Sequence, residues 1–422
     1  MAFILFGVFI LLLIIGVPVA FSICSAAAVT MFAGFGDAKM MIVVQRMFAS
    51  CDSFSLIAVP FFIFAGDLLA KGKISKVLVE FCESLLGMIK GGLSVVSVLA
   101  GMFFAAISGS GAATTAAVGA TLVPELKKRG YREDSAAALV AAAGTIGVVI
   151  PPSVPMVLYA VIAEESVNRL FQAGFLPGFI MGGMLIVIAL VQAYRNNYPK
   201  GKAFSLKNVA KTFVKAIPGI LMPCIILGGI FSGYFTPSEA AAVAVVYALL
   251  VSAFVYRDLT PKNLYQIMLG SAKTSAVIMI IIGCSGPFGW ALANWKIPET
   301  ISAAVLSVSQ NKYVILLLIS VIILIAGVFM ETSSAIILLT PVFLPLIRAL
   351  GISTLHFGIL FVVGIAIGMI TPPVAINLFV ASGITNLPLT RISKAVVPYL
   401  IGLIVVFLFI VYGPLFIPGF IA

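Results

Sequence analysis

Apolar stretches follow one another along this chain with few charged residues between them. Most are long enough to cross a bilayer, which takes roughly 20 apolar residues in a helix. The interruptions are informative. A proline-interrupted apolar start covers 3–35, a span follows at 54–70, a partly polar segment at 71–90, and an apolar stretch broken by small polar residues at 91–126. A stretch at 135–162, broken by Pro151-Pro152, comes next, and a span at 168–194 closes the series. The same order then runs again through 218–256, 274–292, 293–312, 313–347, 357–382 (broken by Pro372-Pro373) and 396–418. Proline removes a backbone donor and clashes with the preceding turn, so each Pro-Pro breaks a helix. In hydrocarbon, such a break is tolerated only where the freed groups are buried in protein or face a cavity. The pattern predicts an all-α polytopic membrane protein with two Pro-Pro broken helices.

The two series superpose. Gly147-Val-Val-Ile-Pro151-Pro152 falls on Gly368-Met-Ile-Thr-Pro372-Pro373, a shift of 221 (368 − 147) that also carries Pro124 to Pro345 and Pro177 to Pro398. It lays Ser108-Gly-Ser-Gly-Ala-Ala-Thr over Phe329-Met-Glu-Thr-Ser-Ser-Ala, while a shift of 219 (237 − 18) carries Pro18 to Pro237. Weak internal symmetry of this kind marks secondary transporters; duplication in some other bundle would also leave it. Charge predicts that the two repeats are inverted. The first half holds Lys127, Lys128, Arg129 and Arg132 where the second holds only Arg348, and Lys71, Lys73, Lys76 and Lys90 where the second holds Lys296 and Lys312. Basic loops stay in the cytoplasm. So does the linker with Arg195, Lys200, Lys202, Lys207, Lys211 and Lys215, which leaves both termini outside if residues 3–35 cross twice. Residues 1–90 are expected to supply scaffold elements and an arm helix, and 201–312 the linker with the matching scaffold and arm. Residues 91–200 and 313–422 would each supply a re-entrant hairpin and a broken helix to a transport domain.

Composition narrows the class further. The chain is 62% hydrophobic and 9% charged, against roughly 25% charged in soluble domains. Its net charge of +11 is read as positive-inside loops facing a lipid bilayer, with no nucleic-acid partner. The five cysteines form no C-x-x-C pair and there is one histidine, His356, which argues against zinc or haem sites. No phosphate-binding G-x-x-x-x-G-K-[ST] loop occurs, so no nucleotide is expected. The start, Met1-Ala-Phe-Ile-Leu-Phe, lacks a basic n-region and is read as a mature membrane segment.

Glycine and serine at Ser108-Gly-Ser-Gly111 suit a hairpin tip whose freed polar groups bind an ion; close helix packing through small residues is the plainer alternative. Na⁺ takes several oxygens, neutral ones included. Ser108 and Ser110, with Gly147, Ile150 and Pro152, are the first candidate sodium set; Thr332, Gly368, Thr371 and Pro373 are the second. Glu331, Ser153 and Asn377 are candidate substrate residues, Asn377 serving equally well to tie down its break. An ionisable group at membrane depth faces a cavity or a partner, and Glu331 could hold Na⁺, bind substrate or titrate. Asp67 sits at a span end and is expected at the interface. Thr236-Pro-Ser-Glu239 reads as a capping box. Arg46 and Lys273 are the few cations available to a carboxylate. The partly polar segments, with Lys76, Glu80 and Glu83 among apolar residues, read as arm helices along the interface, Trp290 and Trp295 flanking the second.

Taken in order, Gln45-Arg46-Met-Phe, Pro60-Phe-Phe-Ile-Phe-Ala-Gly66, Ser108-Gly-Ser-Gly-Ala-Ala-Thr-Thr, Gly130-Tyr, Gly144-Thr-Ile-Gly with Pro151-Pro-Ser, Pro237-Ser-Glu-Ala-Ala-Ala and Thr371-Pro-Pro resemble the large membrane subunit of TRAP (tripartite ATP-independent periplasmic) transporters. The resemblance covers nearly the whole chain. It implies a bacterial inner-membrane protein importing an organic acid, of the sialic acid or C4-dicarboxylate class, on a sodium gradient. It also implies an elevator-type ion-transporter fold, a separate small four-helix membrane subunit and a periplasmic substrate-binding protein. A stand-alone sodium/dicarboxylate carrier and an ion channel are the other readings of the same pattern.

Overall fold

The computed structural model describes residues 1–70, 72–201, 203–308 and 311–416, and among them it is helical throughout apart from one isolated antiparallel bridge, Lys90 to Lys200. Lys71 and Lys202 lie outside the described residues. The first half runs through α1 Ala2–Ile14, α2 Val19–Phe35, α3 Met41–Cys51, α4 Ala58–Ala70, α5 Ile74–Leu86, α6 Gly92–Ser108, α7 Gly111–Lys128, α8 Glu133–Thr145, α9 Val154–Ala163 and α10 Val167–Arg195. The second half runs through α11 Leu206–Phe231, α12 Pro237–Leu250, α13 Pro261–Asn294, α14 Ile297–Val308, α15 Lys312–Phe329, α16 Thr332–Ala349, α17 Thr354–Gly368, α18 Ile376–Thr385 and α19 Leu389–Phe416. Among the described residues, eight helices are long and apolar enough to cross a membrane, or nine if the bent pair α3–α4 counts as one span.

The termini of these helices follow from local chemistry. Ser110, Ser153, Ser166, Thr260 and Ser353 each accept a backbone N–H of the turn they open, satisfying a donor the helix cannot. Thr236 and Glu239 form the expected capping box, the Thr236 amide donating to Glu239 Oε2 at 2.8 Å. The stretch at 3–35 is two helices, because Gly16 takes φ +89° ahead of Pro18, where helix cannot continue. The expected span at 274–292 belongs to a 34-residue helix, α13, whereas the corresponding first-half segment bends by 63° between α3 and α4.

Packing interleaves the halves. α18 lies on α7 and α8, α9 on α16 and α17, α2 on α13, and α12 on α4. The 29-residue α10, about 43 Å long at 1.5 Å per residue, separates two ends of the molecule. At its C-terminal end the Gly91 amide donates to Pro199 O at 3.4 Å, the Gly201 amide to Gly87 O at 2.8 Å, and Arg129 pairs with Glu83 at 2.5 Å. Both ends of the α6–α7 pair are therefore gathered there. At its N-terminal end Tyr159 Oη donates to Thr354 O at 2.6 Å and Arg348 Nη2 to Ala163 O at 3.4 Å. α19 runs antiparallel to α10, and its far end brings Tyr412 Oη to Tyr313 O at 3.1 Å. Both ends of the α15–α16 pair thus lie at the opposite end from those of α6–α7.

Candidate functional site

The α6–α7 turn is tight. Gly109 takes φ +59° to close α6, and Ser110 opens α7 by accepting the Ala113 amide at 3.4 Å. Ser108 Oγ meets Thr114 Oγ1 at 2.8 Å and Ser110 O at 3.2 Å. Gly147, in the short turn after α8, comes so close that a Cβ there would lie 2.6 Å from both Ser110 O and Thr114 Oγ1. Ser108, Ser110 and Gly147 therefore lie together, and Thr114, which the sequence reading did not name, lies with them. Its signal was present: Thr114 is one helical turn beyond Ser110, hence on the same face. Pro152 faces the same tip, since a Cβ at Gly109 would lie 2.8 Å from Pro152 O. The Ile150 side chain, by contrast, packs against Gly178 of α10. Ser153 is fully buried, donates to Val148 O at 2.6 Å and accepts the Met156 amide at 3.4 Å.

The second turn is built differently. Glu331 caps α16, accepting the Ser333 amide at 2.8 Å, the Ser334 amide at 3.2 Å and Ser333 Oγ at 3.2 Å. A capping role for this carboxylate was not expected. Thr332 Oγ1 reaches Met369 Sδ at 3.5 Å. Gly368 packs on the backbone of Gly327, where a Cβ would overlap. Thr371 Oγ1 turns back to Ile367 O at 2.9 Å, and Pro373 is exposed. Thr332 and Gly368 therefore meet around Met369, while Thr371 and Pro373 lie on an open turn. Asn377 is fully buried and reaches into the first half, donating from Nδ2 to Ala141 O at 3.2 Å while its amide donates to Met369 O at 3.0 Å; its Oδ1 has no protein partner.

Both tips open into one cavity of about 540 Å³, lined by Ser108 to Ala113 from the first hairpin and Glu331 to Ser334 from the second. α4 and α13 close it with Gly66, Asp67, Lys273 and Thr274. Asp67 lines the cavity and accepts Ser271 Oγ at 2.7 Å, on a helix packed between α12, α13 and α6. Gly66 gives the closest approach of α4 to the first tip, a Cβ there falling 3.0 Å from the Ser108 backbone. Lys273 lines the cavity, whereas Arg46 is not among the lining residues.

Membrane-length helices around a cavity lined by hydroxyl side chains and helix N-termini are the arrangement of a membrane transport subunit. Residues 6–416 match the family described as the tripartite ATP-independent periplasmic transporter, DctM component, and the chain belongs to it as a large permease of the inner membrane. The permeases of this family work with a small membrane subunit and a periplasmic binding protein. The chain is 41% identical to the isethionate TRAP transporter permease protein DctMQ of Oleidesulfovibrio alaskensis, over 99% of this chain and 66% of that longer protein. It is 40% identical to the C4-dicarboxylate TRAP transporter large permease protein DctM of Pseudomonas aeruginosa, over 87% of this chain and 86% of that one. It is 34% identical to the sialic acid permease SiaM of Vibrio cholerae, over 96% and 95%. Among solved structures, the Alcanivorax borkumensis YdaH transporter shares the fold at 14% identity, with a TM-score of 0.65 over 90% of this chain and 89% of that one.

Proposed function

We propose that this chain is the transmembrane engine of a sodium-coupled importer that receives an organic acid, of the sialic acid or C4-dicarboxylate class, from a periplasmic binding protein. The observation that carries this reading is the shared cavity. The N-termini of α7 and α16 both open into it, and helix N-termini attract carboxylates. Yet the cavity also holds Asp67 and Glu331 against the single ammonium of Lys273. A carboxylate entering alone meets like charge; sodium bound beside the tips offsets it, which makes ion and substrate binding mutually dependent. Ser108, Ser110 and the carbonyls around Gly147, Ile150 and Pro152, with Thr114 added, are the first proposed sodium set. Thr332 and Gly368, with Thr371 and Pro373 drawn in as the second break closes, are the other. Glu331 and Asn377 act on the substrate side; Ser153 acts through its cap.

Two inverted repeats with re-entrant hairpins account for the helix order. α7 and α16 are each 18 residues long and start 221 apart (332 − 111), and the two hairpins have their open ends at opposite ends of α10. Lys127, Lys128, Arg129 and Arg132 mark the first of these ends as cytoplasmic, which leaves both termini on the periplasmic side. The hairpins and broken helices move as one body, elevator fashion, past the scaffold of α4 and α13, with α5 and α14 as arms and a small four-helix subunit steadying the scaffold. Reconstitution in liposomes tests this. Uptake is expected only with an inward sodium gradient, the small subunit and the binding protein together. Uptake without the binding protein would instead indicate a stand-alone carrier, and currents far above carrier rates a channel.

A further inference from the structure

A second cavity, of about 490 Å³, lies at the cytoplasmic end, where the loop before α8, the end of α10 and the start of α19 meet. Arg132, Arg391 and Lys394 line it with one carboxylate, Asp134. That carboxylate is spent inside the protein: its side chain is 5% exposed, and it accepts Arg132 at 3.2 and 2.8 Å, Arg391 at 3.4 Å and the Ser135 amide at 2.8 Å. Hydrogen bonds from Arg132 hold the Asp134 carboxyl below its ordinary range against the opposing effect of burial, so it stays charged and keeps both guanidinium groups in place. The two arginine side chains remain 65% and 58% exposed. Gln192 also lines the cavity, its Oε1 accepting Tyr399 Oη at 3.1 Å. Three cations against one consumed carboxylate, at the ends of two membrane-length helices, form a preorganised anion seat at headgroup depth.

We propose that this cavity binds a phosphate-class anion, the phosphodiester headgroup of an anionic lipid of the inner leaflet. The seat draws only on residues of 91–200 and 313–422, the stretches expected to form the transport domain, so, on the proposed function, a bound headgroup would bias where that domain rests. The test is thermal unfolding and native mass spectrometry of the full chain in neutral detergent, titrated with phosphatidylglycerol, phosphatidylcholine or inorganic phosphate. Phosphatidylglycerol should raise the unfolding midpoint and remain bound, and phosphatidylcholine should do neither. Lys394→Gln, which leaves the Asp134 pairs intact, should weaken phosphatidylglycerol binding roughly five-fold, and adding Arg391→Gln should weaken it by a similar factor again. Saturation by inorganic phosphate at millimolar concentration would support the anion class while assigning the seat to a soluble phosphate. Equal binding by the variants, or no stabilisation by either anion, would overturn the proposal.

Discussion

The two Pro-Pro breaks share a sequence pattern and differ in how they are held. From Gly147 to Ser153 every residue of the first break is buried, whereas Thr371 is half-buried and Pro372, Pro373 and Val374 are exposed. The first break is tied by its own side chain: Ser153 caps α9 and donates to Val148 O. The shifted position, Val374, has no hydroxyl to offer; α18 starts with no side-chain cap, and Ala375 takes φ +47°. Identical breakers therefore produce a buried, capped break and an exposed, uncapped one. The difference lies in what caps and covers the next helix.

Four substitutions sharpen or break that comparison. The largest effect is expected from Gly147→Ala and Gly368→Ala, because each new Cβ meets backbone, at Ser110 and Gly327 respectively. Overpacking of about 1–3 kcal/mol should lower the unfolding midpoint and abolish uptake in both. Ser153→Ala comes next: losing a buried cap and stranding Val148 O should cost about 1–2 kcal/mol. Val374→Ala at the matching position should stay within about 0.5 kcal/mol. Equal costs in denaturant unfolding would erase the proposed contrast between the breaks.

Glu331→Ala should cost about 1 kcal/mol through loss of the α16 cap, while Glu331→Gln keeps an acceptor for the Ser333 and Ser334 amides and should unfold like wild type. Uptake should fall in both, which separates capping from charge; wild-type uptake by Glu331→Gln would remove the carboxylate from the transport site. Thr236→Ala, at an exposed capping box, should cost about 0.5–1 kcal/mol. It should shift stability alone and leave uptake unchanged.

Much of the scaffold was legible because its signals are local. Pro-Pro, Ser108-Gly-Ser-Gly and Thr236-Pro-Ser-Glu each act within a turn or two, and the helices begin and end where those residues dictate. What escaped depends on tertiary placement. Asp67 lies near the end of a short apolar helix, and its place in the cavity wall emerges only where α12, α13 and α6 pack on α4. Thr114 looks like one more small residue until Gly147 approaches it. The asymmetry of the breaks was written in Ser153 against Val374, yet two proline pairs at a constant offset drew the eye to sameness.

The central claim is that the assembled half-site around the first hairpin tip is where sodium acts. Sodium activation of organic-acid uptake, measured in proteoliposomes with wild type and with Ser108→Ala combined with Ser110→Ala, tests it most directly. The wild type should respond steeply to sodium, and the double variant should lose most of that response while keeping its fold, as read by unfolding midpoint. An unchanged sodium response in a folded double variant would contradict the account.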